Sequence, residues 1–396
     1  MKKTRGCLLL VGSMLLCCAV NAQKKLAKEF IQENFAFADR QYHVLMSNVE
    51  GRNMPQTFNS KTGKVATYER TWWCTGFYPG SLWYIYEQTK DASIRHEAER
   101  ALAVIKPNEY YTGNHDLGFM MYCSFGNAYR ITKDTAYKKV LLRSAASLST
   151  RFRPRIPAIQ SWNKNRYFNC PVIIDNMMNL ELLEWVSRNG GSPVYGDMAV
   201  KHANTTLKNH FRPDYSSYHV VDYDSSNGKV LQKKTWQGYS DASAWARGQA
   251  WGLYGYTMMY RFTKDKKYLQ QAQHIAAFIL DNPNLQGDKV PYWDFSDPKI
   301  PDVPRDASAA AITASALLEL GQYTSGKEKK KYLSNAVQMI ESLASPDYRA
   351  AYGTNGGFLL LHSTGALPLK SEIDVPLVYA DYYFLEALKR YKDWYL

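Results

Sequence analysis

A repeated turn most constrains how this chain can fold. Related tetrapeptides ending in Thr-Lys-Asp occur at 88–91, 131–134 and 262–265, each between an apolar helical segment and a charged one. Residues 323–326 form a looser copy, and glycines serve the same purpose at 189–191. The Asp or Ser of each turn would cap the helix that follows. The pattern predicts repeated helical hairpins, each with one buried and one exposed member.

Helical periodicity divides the chain into twelve segments that alternate in this way. We predict an all-α fold, an (α/α)6 toroid with six buried inner helices and six amphipathic outer helices. An open array would need a polar end cap, and the last segment, Leu377–Tyr391, is too apolar for that role. The predicted helices cover 27–49, 76–88, 94–105, 117–129, 136–149, 175–188, 195–210, 244–262, 267–280, 307–320, 329–343 and 377–391.

One insertion departs from helical periodicity. Ser217–Tyr223 and Lys229–Lys234 flank the sequence Ser-Ser-Asn-Gly, which is typical of a β-hairpin. The hairpin lies between an outer and an inner helix, so we expect it near one mouth of the toroid. It carries His219, and a lone histidine on a hairpin is usually a surface or packing residue.

The N-terminus predicts export. Three basic residues precede an apolar stretch, and Ala22 offers a small residue for cleavage. We predict a signal peptide at 1–22, a single catalytic domain at 23–396 and a periplasmic location. A lipid anchor at Cys17 or Cys18 is the alternative. No later segment is long and apolar enough to span a bilayer.

Charge and composition narrow the class of ligand. The formal net charge is +13, of which about +10 remains without the leader, and such a surface attracts anions. No basic run or nucleic-acid motif accompanies this charge, so we expect an acidic polysaccharide and no nucleic acid. The 30 Tyr and 10 Trp suit sugar faces, although they could equally form core. Cys74, Cys123 and Cys170 are odd in number and lack metal-ligand spacing, which argues against a disulfide framework and a zinc site. No metal-ligand or nucleotide motif appears, so we expect no metal and no cofactor.

Acidic residues precede the inner helices. In a toroid of alternating helices, all inner helices begin at the same end, so the loops before them converge on one mouth. Those loops carry Asp116, Asp175, Asp241, Asp306 and Asp374. An aspartate there is either a helix cap or a catalytic group. We interpret Asp241 and Asp306 as caps, and the sequence leaves Asp175 and Asp374 open.

Several stretches resemble a known family, the unsaturated glucuronyl hydrolases of glycoside hydrolase family 88. Of the matching stretches, 173–183 and 245–265 are the most specific. The related unsaturated rhamnogalacturonyl hydrolases share the toroid but carry Arg-Gly-Asn where this chain has Arg247-Gly248-Gln249, which favours the glucuronyl side. The matching stretches are 112–122, 173–183, 245–265, 306–320 and 379–388.

The resemblance implies an unusual hydrolysis. Polysaccharide lyases leave a uronate with a C4=C5 double bond at the non-reducing end, and these enzymes hydrate that bond. Asp175 matches the family's general acid and base, and Asp116 matches the second acid. The implied partners are an unsaturated uronyl oligosaccharide and an upstream polysaccharide lyase. A pectin-fragment hydrolase and a non-catalytic carbohydrate-binding toroid are the alternatives.

The chemistry requires a protonated acid. A helix N-terminus lowers the pKa of a carboxyl group, which is wrong for a proton donor. A second carboxylate nearby and burial against aromatic rings both raise that pKa. We therefore expect Asp116 to lie close to Asp175 and to keep it protonated.

The resemblance also implies substrate-binding residues. Positions that the family uses to hold the unsaturated ring fall at His115, His219, Gln237, Arg247 and Trp251. From the residues alone, Arg247 could instead pair with a mouth aspartate, Trp251 could belong to the core, and His115 could cap a helix.

Two more sugar contacts are implied. Trp73, or alternatively Trp72, would stack on the sugar. Ser363 and Lys370 loosely match a region that contacts the leaving sugar and binds sulfate in some members. An ordinary Gly/Pro turn fits that region equally well.

Overall fold

The computed structural model describes residues 25–49 and 51–396, so the predicted signal peptide at 1–22 lies outside the described residues. The described chain contains twelve main helices, three short 3₁₀-helices and seven short strands. None of these helices combines the length and the apolar character of a membrane-spanning segment. The helices are α1 Lys28–Ser47, α2 Phe77–Thr89, α3 Ala92–Ile105, α4 (a π-helical part Gly118–Gly126 and an α-helical part Asn127–Thr132), α5 Thr135–Ser149, α6 Asn176–Arg188, α7 Val194–Asn209, α8 Ala246–Thr263, α9 Lys266–Leu280, α10 Ala307–Leu320, α11 Gly326–Ala344 and α12 Val378–Tyr395. The strands are β1 Met54–Asn59, β2 Lys64–Tyr68, β3 Phe152–Arg153, β4 Ala158–Ile159, β5 Cys170–Ile173, β6 Val220–Tyr223 and β7 Val230–Lys234.

The helices form two concentric rings. Each even-numbered helix contacts the next even-numbered one, and α12 returns to α2, which closes the inner ring. The odd-numbered helices pack around the outside. Burial follows this arrangement, since every residue of α10 is buried whereas α11 buries one face only. The predicted (α/α)6 toroid is confirmed.

The three Thr-Lys-Asp copies of the repeated turn work as the sequence predicts, whereas Ser325 in the looser copy makes no capping hydrogen bond. The lysine of these three copies ends the inner helix in the left-handed conformation, with φ between 57° and 63°, at Lys90, Lys133 and Lys264. The aspartate then accepts a hydrogen bond from a backbone N–H in the first turn of the next outer helix. Each turn therefore stops one helix and starts the next within three residues.

A three-stranded antiparallel sheet fixes the entrance to α6. The predicted hairpin is present as β6 and β7, and β5, which periodicity does not predict, pairs with β6. Asp222 of β6 accepts hydrogen bonds from the backbone N–H groups of Asn169 and Cys170, which aligns the two strands. Because Asp175 follows β5 by two residues, the hairpin holds the backbone that carries this acid.

We expect Asp134→Ala and Asp265→Ala each to lower the free energy of unfolding by about 0.5–2 kcal/mol, because each substitution removes a helix cap. Chemical denaturation of the two variants measures this effect. Both caps lie at the end of the toroid away from the loops that precede the inner helices, so activity should not change. A variant as stable as the parent would contradict the capping role.

Candidate active site

One cavity opens at the end of the toroid where the inner helices begin. Its volume is about 490 Å³, and aromatic side chains form much of its wall. It brings together seven of the residues singled out in the sequence: Trp72, Trp73, His115, Asp116, Asp175, Gln237 and Arg247.

Asp175 sits at the N-cap position of α6 but does not act as a cap. Its backbone is already helical, with φ −56° and ψ −29°, and its side chain accepts no capping hydrogen bond. The side chain is only 11% exposed, and Oδ2 has no hydrogen-bond partner. Burial raises the pKa of Asp175 to about 7, the charge of Asp116 adds to the rise, and Arg247 opposes it. The capping alternative is therefore wrong, and Asp175 is a carboxyl group that can hold a proton near neutral pH.

Asp116 lies on the loop before α4, beside His115. Burial raises the pKa of Asp116 to about 7, against the opposing effects of Arg151 and Asn179. The Nε2 atom of His115 lies 3.4 Å from Oδ1 of Asp116, and His115 is buried and caps no helix. The expectation that Asp116 raises the pKa of Asp175 has the right sign, but burial has the larger effect.

A close approach of two helices sets the position of Asp116. Gly118, in the π-helical part of α4, lies against Asn179 of α6, and a Cβ at position 118 would come within 2.4 Å of the Asn179 Cα. The same asparagine accepts a hydrogen bond from the Phe119 N–H at 2.9 Å and interacts with the Asp116 carboxylate. The two acids are thus tied together through the contact between their helices.

His219 lies behind Asp175, and its hydrogen bonds define its tautomer. Its Nδ1 accepts hydrogen bonds from the backbone N–H groups of Trp236 and Gln237, both at 3.1 Å. The proton must therefore reside on Nε2, which lies 3.7 Å from Oδ2 of Asp175. Burial, together with the charge of Arg247, lowers the pKa of His219 to about 3, so the imidazole is neutral at physiological pH.

Arg247 is almost fully occupied by protein groups. It is 1% exposed, and Nη1 pairs with Asp306 at 2.9 Å and with the Thr364 carbonyl at 2.6 Å. Its Nη2 donates to the Gly365 carbonyl at 2.5 Å. The ion pair with a mouth aspartate is therefore present. Only Nε remains without a partner, and the side chain still lines the cavity.

Trp251 and Gln237 differ in exposure to the cavity. Trp251 is fully buried and packs against Phe119 and Tyr383, so the core interpretation holds for its ring. Its indole N–H faces the Asp175 carboxyl and favours the ionised form. Gln237 lines the cavity directly, and its Nε2 donates to the Gly365 carbonyl at 3.3 Å.

The segment expected to contact sulfate only partly reaches the cavity. Ser363 has no exposed surface, and neither it nor Lys370 lines the cavity. Leu369 and Ser371 line it instead. Ser363 is therefore out of reach of a ligand in this cavity, while Lys370 is an exposed residue beside the rim.

The remaining mouth acids have separate tasks. Asp306 caps α10 through the Ser308 N–H, as predicted. The capping interpretation of Asp241 is wrong, because its carboxylate accepts from the Thr235 N–H and pairs with Lys234. Trp245 occupies the N-cap position of α8 instead. Asp374, which the sequence left open, pairs with His362 at 2.6 Å.

Sequence reasoning missed a second group of cavity residues. Most of them lie on irregular loops, where no periodicity indicates which side chains turn inward. Glu372 is the only charged member of this group, and it would have been visible only as an acid near Lys370. The group comprises Asn114, Ser161, Trp162, Asn165, Phe168, Ile173, Trp236, Ala366, Leu369, Ser371, Glu372 and Tyr379.

Known proteins resemble this chain along nearly its whole length. No protein-family model matches the chain. The chain is 43% identical over 396 residues to an unsaturated glucuronyl hydrolase from Formosa agariphila, with 98% of each chain covered. The crystal structure of an unsaturated glucuronyl hydrolase specific for heparin superimposes with a TM-score of 0.89 and 48% identity, covering 93% of this chain and 98% of that one.

A third comparison includes a bound sugar. A variant of the unsaturated glucuronyl hydrolase from Streptococcus agalactiae, complexed with dGlcA-GalNAc6S, superimposes with a TM-score of 0.81 and 30% identity, covering 95% of each chain. With the same fold and such identity along nearly its whole length, the chain belongs to the unsaturated glucuronyl hydrolases, which are glycoside hydrolases.

Proposed function

We propose that this enzyme removes the unsaturated glucuronyl residue from the non-reducing end of glycosaminoglycan fragments made by a polysaccharide lyase. The observation that carries the proposal is the pair of buried carboxyl groups, Asp116 and Asp175, which open onto one cavity and both have pKa values raised to about 7. Binding alone needs no such pair, which disfavours a non-catalytic toroid. The heparin specificity of one relative and the dGlcA-GalNAc6S bound to another support the substrate class.

The reaction adds water across the C4=C5 bond. Protonated Asp175 donates its proton to C4, and the positive charge that develops at C5 is shared with the ring oxygen. Water then adds to C5 and returns a proton to the Asp175 carboxylate. The hemiketal formed at C5 opens to a ketone, and the hemiacetal left at C1 collapses and releases the remaining sugar. No group is displaced directly at the anomeric carbon, so the distance between the two carboxyl groups does not indicate retention or inversion.

Preorganised donors support the charged stages of this reaction. When Asp175 gives up its proton, the new carboxylate lies near the N–H groups of His219 and Trp251, and neither nitrogen has another hydrogen-bond partner. Donors that are already aimed at a developing charge stabilise it without reorganisation. We propose that the Nε–H of Arg247, also without a partner, contributes to binding the uronate carboxylate.

The charge of the cavity favours binding when the acids are protonated. Its charged lining consists of Asp116, Asp175, Glu372 and Arg247, so three ionised carboxylates would repel an anionic sugar. Burial raises the pKa of all three acids. The uronate therefore meets a cavity in which Asp116 and Asp175, with pKa values raised to about 7, are partly protonated near neutral pH.

Export and sulfate recognition remain predictions. The proposed periplasmic location rests on the leader at 1–22. A preference for a sulfated leaving sugar now depends on Lys370, which lies beside the cavity residues Leu369 and Ser371, since Ser363 is buried.

We expect the enzyme to remove the ultraviolet absorbance of the conjugated double bond in unsaturated glycosaminoglycan disaccharides, and Asp175→Asn to lower that rate by about a hundredfold or more, because it lacks the general acid. A panel that includes alginate-like and pectic disaccharides defines the substrate class. Asp374→Asn, at a half-exposed mouth residue outside the cavity lining, is the matched control. Full turnover by Asp175→Asn would remove this residue from the mechanism.

We expect kcat/KM to fall as pH rises through about 7, because the reactive form of the acid pair is protonated. The apparent pKa belongs to Asp116 and Asp175 together. Asp116→Asn should move the alkaline limb to lower pH, since the charge of Asp116 raises the pKa of Asp175. Initial rates between pH 5 and 9 measure both effects. An alkaline limb that does not move in Asp116→Asn would contradict the coupling.

We expect Asp175→Asn to be more stable than the parent at pH 8. The folded pKa of Asp175 lies above its value in the unfolded chain, so its favourable contribution is complete below about pH 4 and is lost as pH rises towards 7. An asparagine avoids this loss, and each unit of pKa shift is worth about 1.4 kcal/mol. Chemical denaturation at pH 5 and pH 8 measures the difference. A variant that loses stability at pH 8 would instead support a structural role for the carboxylate.

A further inference from the structure

We infer that Asn176 is a positioning residue for the acid pair: it fixes the tautomer of His115, so that the nitrogen of this ring beside Asp116 accepts a hydrogen bond from the protonated carboxyl group. The inference rests on the proposed function and extends it to a side chain that lies behind the two acids. The reaction described above gives no role to Asn176.

The side-chain amide of Asn176 has one permitted orientation. Asn176 directly follows Asp175 as the first residue of α6, and its side chain is completely buried. Its Nδ2 donates a hydrogen bond to the Ile159 carbonyl at 2.7 Å. The backbone of Ile159 is itself held, because its N–H donates to Nδ1 of His202 at 3.0 Å. A flipped amide would place Oδ1 against the Ile159 carbonyl, and two acceptors cannot form a hydrogen bond.

The oxygen of this amide is available to the His115 ring. The side chains of Asn176 and His115 interact, and this contact favours a proton on the ring. Within residues 25–49 and 51–396, neither Oδ1 of Asn176 nor Nδ1 of His115 has another hydrogen-bond partner. An amide oxygen can only accept a hydrogen bond. Nδ1 of His115 therefore carries a hydrogen that faces Oδ1 of Asn176.

This contact determines what the other ring nitrogen can do. Burial, together with the charge of Arg151, lowers the pKa of His115 to about 3, so the imidazole is neutral at physiological pH. With its one hydrogen on Nδ1, the ring has an acceptor at Nε2. Nε2 lies 3.4 Å from Oδ1 of Asp116. An acceptor repels an ionised carboxylate and attracts a protonated carboxyl group, so this tautomer favours the protonated form of Asp116.

The two histidines beside the acids thus have opposite tautomers. His219 carries its hydrogen on Nε2 and presents it to Asp175, which favours the ionised carboxylate. His115 presents a bare nitrogen to Asp116. One acid is therefore prepared to give up its proton and the other to retain it. When Asp175 becomes a carboxylate during the reaction, a protonated Asp116 adds no second negative charge to the cavity.

Other groups act on Asp116 in the opposite direction. The charge of Arg151 and the side chain of Asn179 both favour the ionised form of Asp116. The acceptor on His115 opposes them. The titratable groups whose charges interact with His115 or Asp116 are Cys74, Arg151, Asp175, His202 and His219.

The tautomer can be measured in the intact protein without any substrate. In protein labelled with a nitrogen isotope in its histidines, NMR distinguishes a ring nitrogen that carries a hydrogen from a bare one, and His115→Gln assigns the signals. We expect the hydrogen on Nδ1 in the parent and in Asn176→Asp, which keeps an oxygen facing the ring. In Asn176→Leu, which has no acceptor, the hydrogen should move to Nε2, where Asp116 can accept it.

The same substitution should change the acid and the reaction. In an Asp175→Asn background, carbon NMR of isotope-labelled aspartate follows the titration of Asp116 without its partner. We expect Asn176→Leu to lower this pKa by about one unit, the scale of one hydrogen bond to a charged group. In the parent background, kcat/KM at pH 8 should then fall by up to about tenfold, since one unit of pKa reduces the protonated fraction of Asp116 by that factor.

The outcomes separate this inference from the proposed function. A hydrogen on Nε2 of His115 in the parent overturns the inference, as does the same tautomer in Asn176→Asp and Asn176→Leu. A changed tautomer with unchanged Asp116 pKa and kcat/KM removes Asn176 from the mechanism. If Asn176→Leu does not fold in thermal unfolding measurements, the parent spectrum and Asn176→Ala decide. If the parent hydrolyses no unsaturated disaccharide, the proposed function fails, while the spectra still test the tautomer.

Discussion

The closure of α12 onto α2 is the contact on which the rest of the structure depends. It converts a row of helical hairpins into a ring and places the starts of six inner helices at one end. The loops that precede the inner helices therefore lie close together. Asp116 and Asp175, 59 positions apart in the sequence, meet in one cavity for this reason. The chemistry of the site is therefore a consequence of ring closure rather than of any local motif.

Burial is the second constraint, because it raises the pKa values of the two acids and so allows them to hold a proton. A helix N-terminus alone would favour an ionised Asp175, yet its pKa is raised. The cost of burying a charge outweighs the local dipole, since the side chain is buried and Oδ2 lacks a hydrogen-bond partner. A buried carboxyl group lowers the free energy of unfolding near neutral pH. The fold tolerates this loss and thereby keeps a proton donor that works at that pH.

The sequence predicted the parts of the structure that repeat. Alternating burial and the Thr-Lys-Asp turns are local signals, and they were sufficient for twelve helices and the toroid. Strand β5 escaped prediction because its pairing with β6 joins residues about fifty positions apart. Asp241 was misassigned because a mouth aspartate can serve the hairpin as easily as a helix. Glu372 and Trp236 were missed because loop side chains turn inward through tertiary contacts that no periodicity records.

Because of strand β5, the residues that orient Asp175 are different from the cavity-wall residues that contact the sugar. The backbone entering Asp175 is aligned by β6, and Asp222 secures that alignment from outside the cavity wall. Residues that never contact a ligand can thus shift the catalytic carboxyl by small amounts. A lineage of such enzymes has two independent routes of adaptation: the cavity wall changes which sugar is accepted, and the hairpin changes how the acid is presented to it.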